Sequence, residues 1–160
     1  MLEIISQRKE EVNTLILPTV TYASETLVLK ENRTNKLMVF ERKIMRKISD
    51  PTVTGDGYWR IKTIQEINDI LKGQNIIGFI KKQRLNCLGH IESMAEDNIV
   101  QKIKRWKPVC KRPIGRPKTR WEDGVLGDIK SMNINNWMKV AQNRDSWKKV
   151  VEQARTLYRL

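Results

Sequence analysis

The residues best suited to chemistry in this chain are crowded into one run, Gln101 to Arg120, QKIKRWKPVCKRPIGRPKTR. Nine of its twenty residues are Lys or Arg, none is acidic, and three of the chain's five prolines, Pro108, Pro113 and Pro117, fall inside it. Prolines forbid a continuous helix and bias the residue before each toward extended or polyproline backbone. The side chains of Lys102, Lys104, Arg105, Lys107, Lys111, Arg112, Arg116, Lys118 and Arg120 therefore splay along a stiff strap, which suits a polyanion. Such contacts to phosphate give affinity with little base specificity. Trp106 or Trp121, at the two ends, is placed to stack on an unpaired base. The plainer reading of the same charge is a solvated strap between helical parts.

Other reactive side chains do not assemble into a site. Cys87, His90 and Cys110 approach zinc-ligand spacing, but a structural zinc site takes four protein ligands and the chain has no further Cys or His. Cys87 falls on the apolar side of a predicted helix, where a thiol packs as a small hydrophobe. A single histidine leaves no His-based dyad without His90, and no Ser-containing elbow lies near it. There is no GxxxxGK, no HExxH, no aromatic-x-Asp-Asp and no carboxylate cluster for two metals. Glu122 and Asp123 are adjacent, so on a helix they point about 100° apart and read as a solvated first turn. The expectation is no catalytic residue, no metal and no cofactor, and no enzymatic activity for this chain alone. Gly115-Arg116-Pro117 matches the core of an AT-hook, a peptide that inserts Arg into a narrow minor groove, but Ile114 stands where that motif has Arg.

The charge is uneven. The 160 residues carry a net +13, with a pI near 10.0. Residues 1–70 hold eleven basic and ten acidic side chains, residues 71–120 thirteen and three, and residues 121–160 seven and five. A local basic block points to nucleic acid, DNA or RNA, as the partner. Two cysteines, no signal-like segment and no apolar run near the roughly 18 residues of a membrane helix predict a nuclear or cytoplasmic protein, not secreted. No membrane and no small-molecule substrate are expected as partners.

The elements that must carry these residues read as all-α. Leu2 to Ala23 keeps mostly helical spacing with an interruption at Pro18, and a strand through ILPTVTY is the competitor. A second helix, capped by Asn32 or Thr34, buries Leu37, Phe40, Ile44 and Ile48. It turns Lys36, Arg42, Lys43, Arg46 and Lys47 outward as a second phosphate surface or a solvated face. Ser49 to Trp59 reads as a loop. Thr63 and Glu66 form a capping box for a helix to Leu71 that Gly73 ends. Asn75 to Met94 is a helix with Ile76, Ile80, Cys87, Ile91 and Met94 on its core face. A short helix after Glu96 and Asp97 leads to Trp106, and helices follow over Trp121–Ile129 and around Trp137 and Trp147, whose rings supply packing area. The expected divisions are 1–48, a linker 49–62, central helices 63–105, the strap 106–120 and short helices 121–160.

Five segments in this order resemble the region C-terminal to the polymerase palm in non-LTR, LINE-type retrotransposon endonuclease-reverse transcriptases. They are LPTVTYASETLVL (Leu17–Leu29), FERKIMRKI (Phe40–Ile48), RLNCLGHIESM (Arg84–Met94), KRPIGRPKTRWED (Lys111–Asp123) and AQNRDSWKKVV (Ala141–Val151). The family's tryptophan before Leu-Gly-His is Cys87 here, and its Arg-Gly-Arg-Pro is Ile114-Gly115-Arg116-Pro117, as in a diverged copy. The resemblance implies that residues 1–48 are thumb-like, gripping a template-primer duplex by its backbone. The remainder is then the post-thumb region, and an upstream palm is a partner in a longer protein. The palm's metal-binding aspartates have no counterpart here. The chain thus reads as a fragment of an RNA-directed DNA polymerase that retains nucleic-acid binding. The alternatives are a stand-alone element-derived DNA-binding protein with an AT-hook-like strap, and a protein-interaction module.

Overall fold

The computed structural model describes residues 10, 12–71, 75–106 and 120–156. The fold is all-α with one small hairpin. Lys107, Cys110, Lys111, Arg112, Arg116 and Lys118, and Gly73 likewise, lie outside the described residues.

A π-turn over Val12–Ile16 runs into α1 (Leu17–Val20), with Pro18 in its first turn, where the missing N–H costs no helical bond. The segment is helical, not the strand that its β-branched residues also allowed. A 3₁₀ turn, Ser24–Thr26, leads to α2 (Glu31–Ile48). Lys30 occupies the N-cap of α2 without a side-chain bond, so neither Asn32 nor Thr34 caps it; Thr34 is buried inside the first turns, its hydroxyl bonded back to the Lys30 carbonyl at 3.2 Å. The buried stripe is also rotated from the expected one. Met45 is buried, whereas Phe40 is 38% exposed. The reason is that Leu37 and Met38 pack against Ile76, Ile77 and Ile80, and Glu41 on the same side of the helix receives the Ile76 amide N–H at 2.7 Å, so this face turns inward.

Within the expected loop after α2, β1 (Thr52–Val53) and β2 (Trp59–Arg60) pair antiparallel, with Thr52 opposite Arg60 and Val53 opposite Trp59. Gly57, at φ +80°, supplies the left-handed turn residue, and Thr54 N–H donates to the Tyr58 carbonyl at 2.8 Å. Helix α3 (Ile64–Leu71) opens with the expected capping box: Thr63 N–H donates to Glu66 Oε2 at 2.7 Å and Glu66 N–H to Thr63 Oγ1 at 3.3 Å.

The centre is α4 (Ile76–Glu92), N-capped by Asn75, whose side chain accepts from Gly78 N–H at 2.7 Å. One core face was expected; instead the helix is buried nearly all round. Ile76, Ile77 and Ile80 pack against Leu17, Leu29, Leu37 and Met38. Leu85 and Leu88 join Val125, Ile129, Ala141, Trp147, Val150, Val151 and Ala154 in the larger core. Those partners come from α6 (Trp121–Ser131), α7 (Trp137–Gln142) and α8 (Arg144–Thr156). Helix α5 (Ile99–Arg105), capped by Asn98, is tied to the end of α4 by buried Gln101, whose Nε2 donates to the Ile91 carbonyl at 2.5 Å. Among the described residues no helix is long and apolar enough to cross a membrane.

Candidate nucleic-acid interface

Of the cations in the middle of the chain, many are spent inside the protein. Arg84 is 1% exposed; its Nη1 lies 3.2 Å from Asp128, which Lys81 also meets at 2.9 Å. Burial lowers the Arg84 guanidinium from its ordinary range, and Asp128 opposes that. Lys82 pairs with Glu152 at 2.5 Å. The sequence count of the basic block therefore exceeds the charge available to a ligand.

The strap's N-terminal side divides in the same way. Lys104 pairs with Glu92 and sits 5.7 Å from the centre of the Trp137 ring, and burial lowers its ammonium. Arg105 meets Glu96 at 3.3 Å on the surface. As phosphate ligands both are thus compromised, Lys104 the more so. Lys102, Trp106 and Arg120 are exposed; Trp106 is 68% accessible. Trp121 is half-buried, with its indole N–H donating to the Glu25 carbonyl at 2.5 Å, so it is not a stacking platform.

Helix α2 carries a row of cations that make no ion pair with the described residues. Lys36, Lys43 and Lys47 stand at i, i+7 and i+11, which places them within about 40° of one another on the helix circumference. They span roughly 16 Å, a length over which one duplex strand carries about five phosphates. All three are exposed, as are Arg33 and Arg46, and none makes an ion pair among the described residues. Arg42 departs from this row: it is half-buried on the flank, and its charge acts on Glu41. Arg46 and Lys47 also complement the negative end of the helix dipole.

Cys87 is half-buried, its thiol pushed up by burial and by Glu25, while His90 on the same helix is exposed. Among the described residues no three His, Cys, Asp or Glu side chains come together as a metal site. Glu122 and Asp123 are exposed in the first turn of α6.

The quoted motif segments meet one another on α4. Gly89 lies under the Trp147 indole, where a Cβ has no room, and that indole donates to the Leu85 carbonyl at 3.1 Å. A Cβ on Gly124 would come within 2.7 Å of Arg84 Nη2, which itself lies 3.4 Å from the Trp121 carbonyl.

Over 161 aligned residues the chain is 23% identical to an uncharacterized transposon-derived protein of Caenorhabditis elegans. The alignment covers 95% of this chain and 57% of that protein, so the chain spans a little over half of the relative's length. No protein-family model and no solved structure matches the chain.

Proposed function

We propose that this chain is a piece of a retrotransposon reverse transcriptase, its thumb and post-thumb region, whose task is to hold nucleic acid by the phosphate backbone with little regard to sequence. The likeness to the nematode protein supports a transposon origin. The order of the five segments, Leu17 to Val151, supports the finer assignment to a non-LTR element. The observation that carries the binding role is the row of exposed cations on α2 that have no ion-pair partner among the described residues, Lys36, Lys43 and Lys47 with Arg33 and Arg46 beside it. Lys102 and Arg120, and the strap residues between them, add to it. No reaction is proposed for the chain by itself: copying belongs to a palm that these residues do not supply.

A second reading draws on Ile16, Val20 and Phe40, 37%, 39% and 38% exposed along an apolar pocket between the first helical segment and α2. That surface suits packing against a further polypeptide, an upstream palm included. The two roles are compatible on one chain.

Binding of the purified chain to a duplex, a single strand and an RNA–DNA hybrid, followed by fluorescence anisotropy across a salt series, tests the proposal. Six to nine phosphate contacts give a log–log slope of about −5 to −8 on duplex. A flat slope, or no binding, removes the nucleic-acid reading and leaves the polypeptide surface as the functional one.

A further inference from the structure

The hairpin after α2 has two unlike sides. Its inner side is fastened: Arg60 makes a bidentate contact with Glu66, at 2.6 and 3.0 Å, and Lys62 Nζ donates to Thr52 Oγ1 at 3.1 Å. Arg60 and the Thr63 amide hold the Glu66 carboxyl down at about 2, so this clasp stays ionised. Its outer side is bare. Val53 and Trp59 are cross-strand partners and therefore share a face, which strand alternation extends to Ile61. Their exposures are 51%, 70% and 71%, and Tyr58 at the turn is 76% exposed.

A surface tryptophan on a loosely held loop folds back onto the nearest apolar ground. Trp59 is instead mounted on a ladder that is clasped from behind, which keeps the indole presented. The face is small. One aromatic ring contributes about 150–250 Å², and Val53 and Ile61 beside it leave the total well below the roughly 800 Å² per partner of a standard protein interface. It matches one or two nucleobases.

The charge around it agrees. Arg46 and Lys47 precede β1 by a few residues and are exposed and unpaired among the described residues, and the hydrogen-bond partner of Lys62 is a neutral hydroxyl. Arg60 is neutralised by Glu66; Asp50 and Asp56 are the acidic groups nearby in sequence, against Lys43, Arg46, Lys47 and Lys62.

We infer that the outer face of the β1–β2 hairpin is a stacking platform for an unpaired base of a single-stranded nucleic acid, with Trp59 as the platform and the exposed Arg46 and Lys47 holding the flanking phosphates. This rests on the proposed backbone-binding role and deepens it, because it gives the chain a preference for unpaired strands. Stacking on an aromatic side chain is tolerant of sequence, since every base has a π-face.

The experiment compares the full chain with Trp59→Ala, Trp59→Phe and a Lys36→Gln/Lys43→Gln/Lys47→Gln variant, by anisotropy on a labelled 12-nucleotide single strand and on a blunt duplex. Circular dichroism confirms that each folds. Trp59→Ala is expected to weaken single-strand binding about 5- to 100-fold while changing duplex affinity less than about 2-fold, and Trp59→Phe to restore most of the loss. If Trp59→Ala leaves single-strand binding within about 2-fold while the triple-lysine variant weakens it, the platform is refuted and the backbone role stands. If the wild-type chain binds neither ligand, both fall. Equal losses on single strand and duplex, or a loss of self-association in sedimentation without a loss of binding, also overturn the platform, the latter by assigning the face to a second copy.

Discussion

Glu41→Gln offers a sharp test of the helix arrangement that presents the α2 row. Glu41 sits on the inner side of α2 and receives the Ile76 N–H at the start of α4, beside an apolar cavity of about 50 Å³ that Arg155 also lines. Burial raises its carboxyl from 4.5 to about 7; the Ile76 amide and the charge of Arg42 pull the other way, and the N-terminal end of α4 favours the anion as well. Desolvation wins. At about 1.4 kcal/mol per tenfold change in proton affinity, the distance from 4.5 to about 7 corresponds to roughly 3 kcal/mol as a ceiling, and water at the open side of the cavity reduces it to about 1–3 kcal/mol.

The sign follows from the raised value. Below pH 4.5 the carboxyl is protonated in both folded and unfolded chains and the stabilisation is fully present. As pH rises from 4.5 through 7 the folded state must accept a buried charge, and stability is lost. Gln keeps an oxygen for the Ile76 N–H and carries no charge at any pH. The variant should therefore exceed wild type by about 1–3 kcal/mol at pH 8, a Tm gain of about 2–4 °C per kcal/mol for a chain of this size. At pH 4 the two should nearly coincide. Urea titrations and thermal melts at pH 4, 6 and 8 check this. A Glu41→Gln protein that is less stable at pH 8, with the wild-type pH dependence intact, would show that the anion stabilises α4 and would refute the reasoning.

Replacing Lys36, Lys43 and Lys47 together by Gln should make the duplex salt slope shallower by about 3, with losses alike across sequences, as read by anisotropy. Lys104→Gln, by contrast, should leave that slope unchanged and cost a small amount of stability in a denaturant titration, because Glu92 and the Trp137 ring already hold the ammonium. Gly89→Ala should destabilise the fold by about 1–3 kcal/mol or more, since its Cβ would occupy the place of the Trp147 indole. Asp128→Ala should cost about 3–5 kcal/mol in a urea melt by leaving Arg84 charged and buried, whereas Arg84→Met, which removes the charge, should cost less.

The helices were legible because their signals are local. The Thr63–Glu66 capping box and the tryptophan-anchored helices at the C-terminal end could be read from spacing alone. What escaped depends on contacts distant in sequence. Nothing near Phe40 says that the Ile76, Ile77 and Ile80 cluster will pack against Leu37 and Met38, or that the Ile76 amide will reach Glu41, thirty-five residues earlier. The apolar spacing of α4 marks one face, while its burial on both sides arises from partners at Leu17 and at Val151. The hairpin is only two residues per strand, too short for alternation to announce it, although Gly57 before Tyr58-Trp59 is a turn signal followed by strand formers. Counting charge by segment overstates what a ligand can reach for a simpler reason: a count does not know that Arg84 is in the core.

Leu88-Gly89-His90 and the Ala141–Val151 segment belong together because the Trp147 indole needs a helix surface without a side chain at Gly89. Arg84 and Gly124 belong together because the guanidinium passes where a Cβ would stand, and Trp121 closes onto Glu25. The described parts of three segments, Arg84–Met94, Trp121–Asp123 and Ala141–Val151, are thus packed together around α4, and a relative that shares those contacts shares a core. The residues proposed for ligand contact on the outer row of α2 and the bare face of the hairpin stand apart from these contacts, where no packing partner among the described residues fixes the residue type. A distant relative can therefore keep the Gly89–Trp147 and Arg84–Gly124 contacts while differing at Lys36, Lys43, Lys47 and Trp59. Grafting that exchange, with the core left intact, should alter nucleic-acid affinity at unchanged stability, whereas a loss of fold would place those surface residues in the scaffold after all.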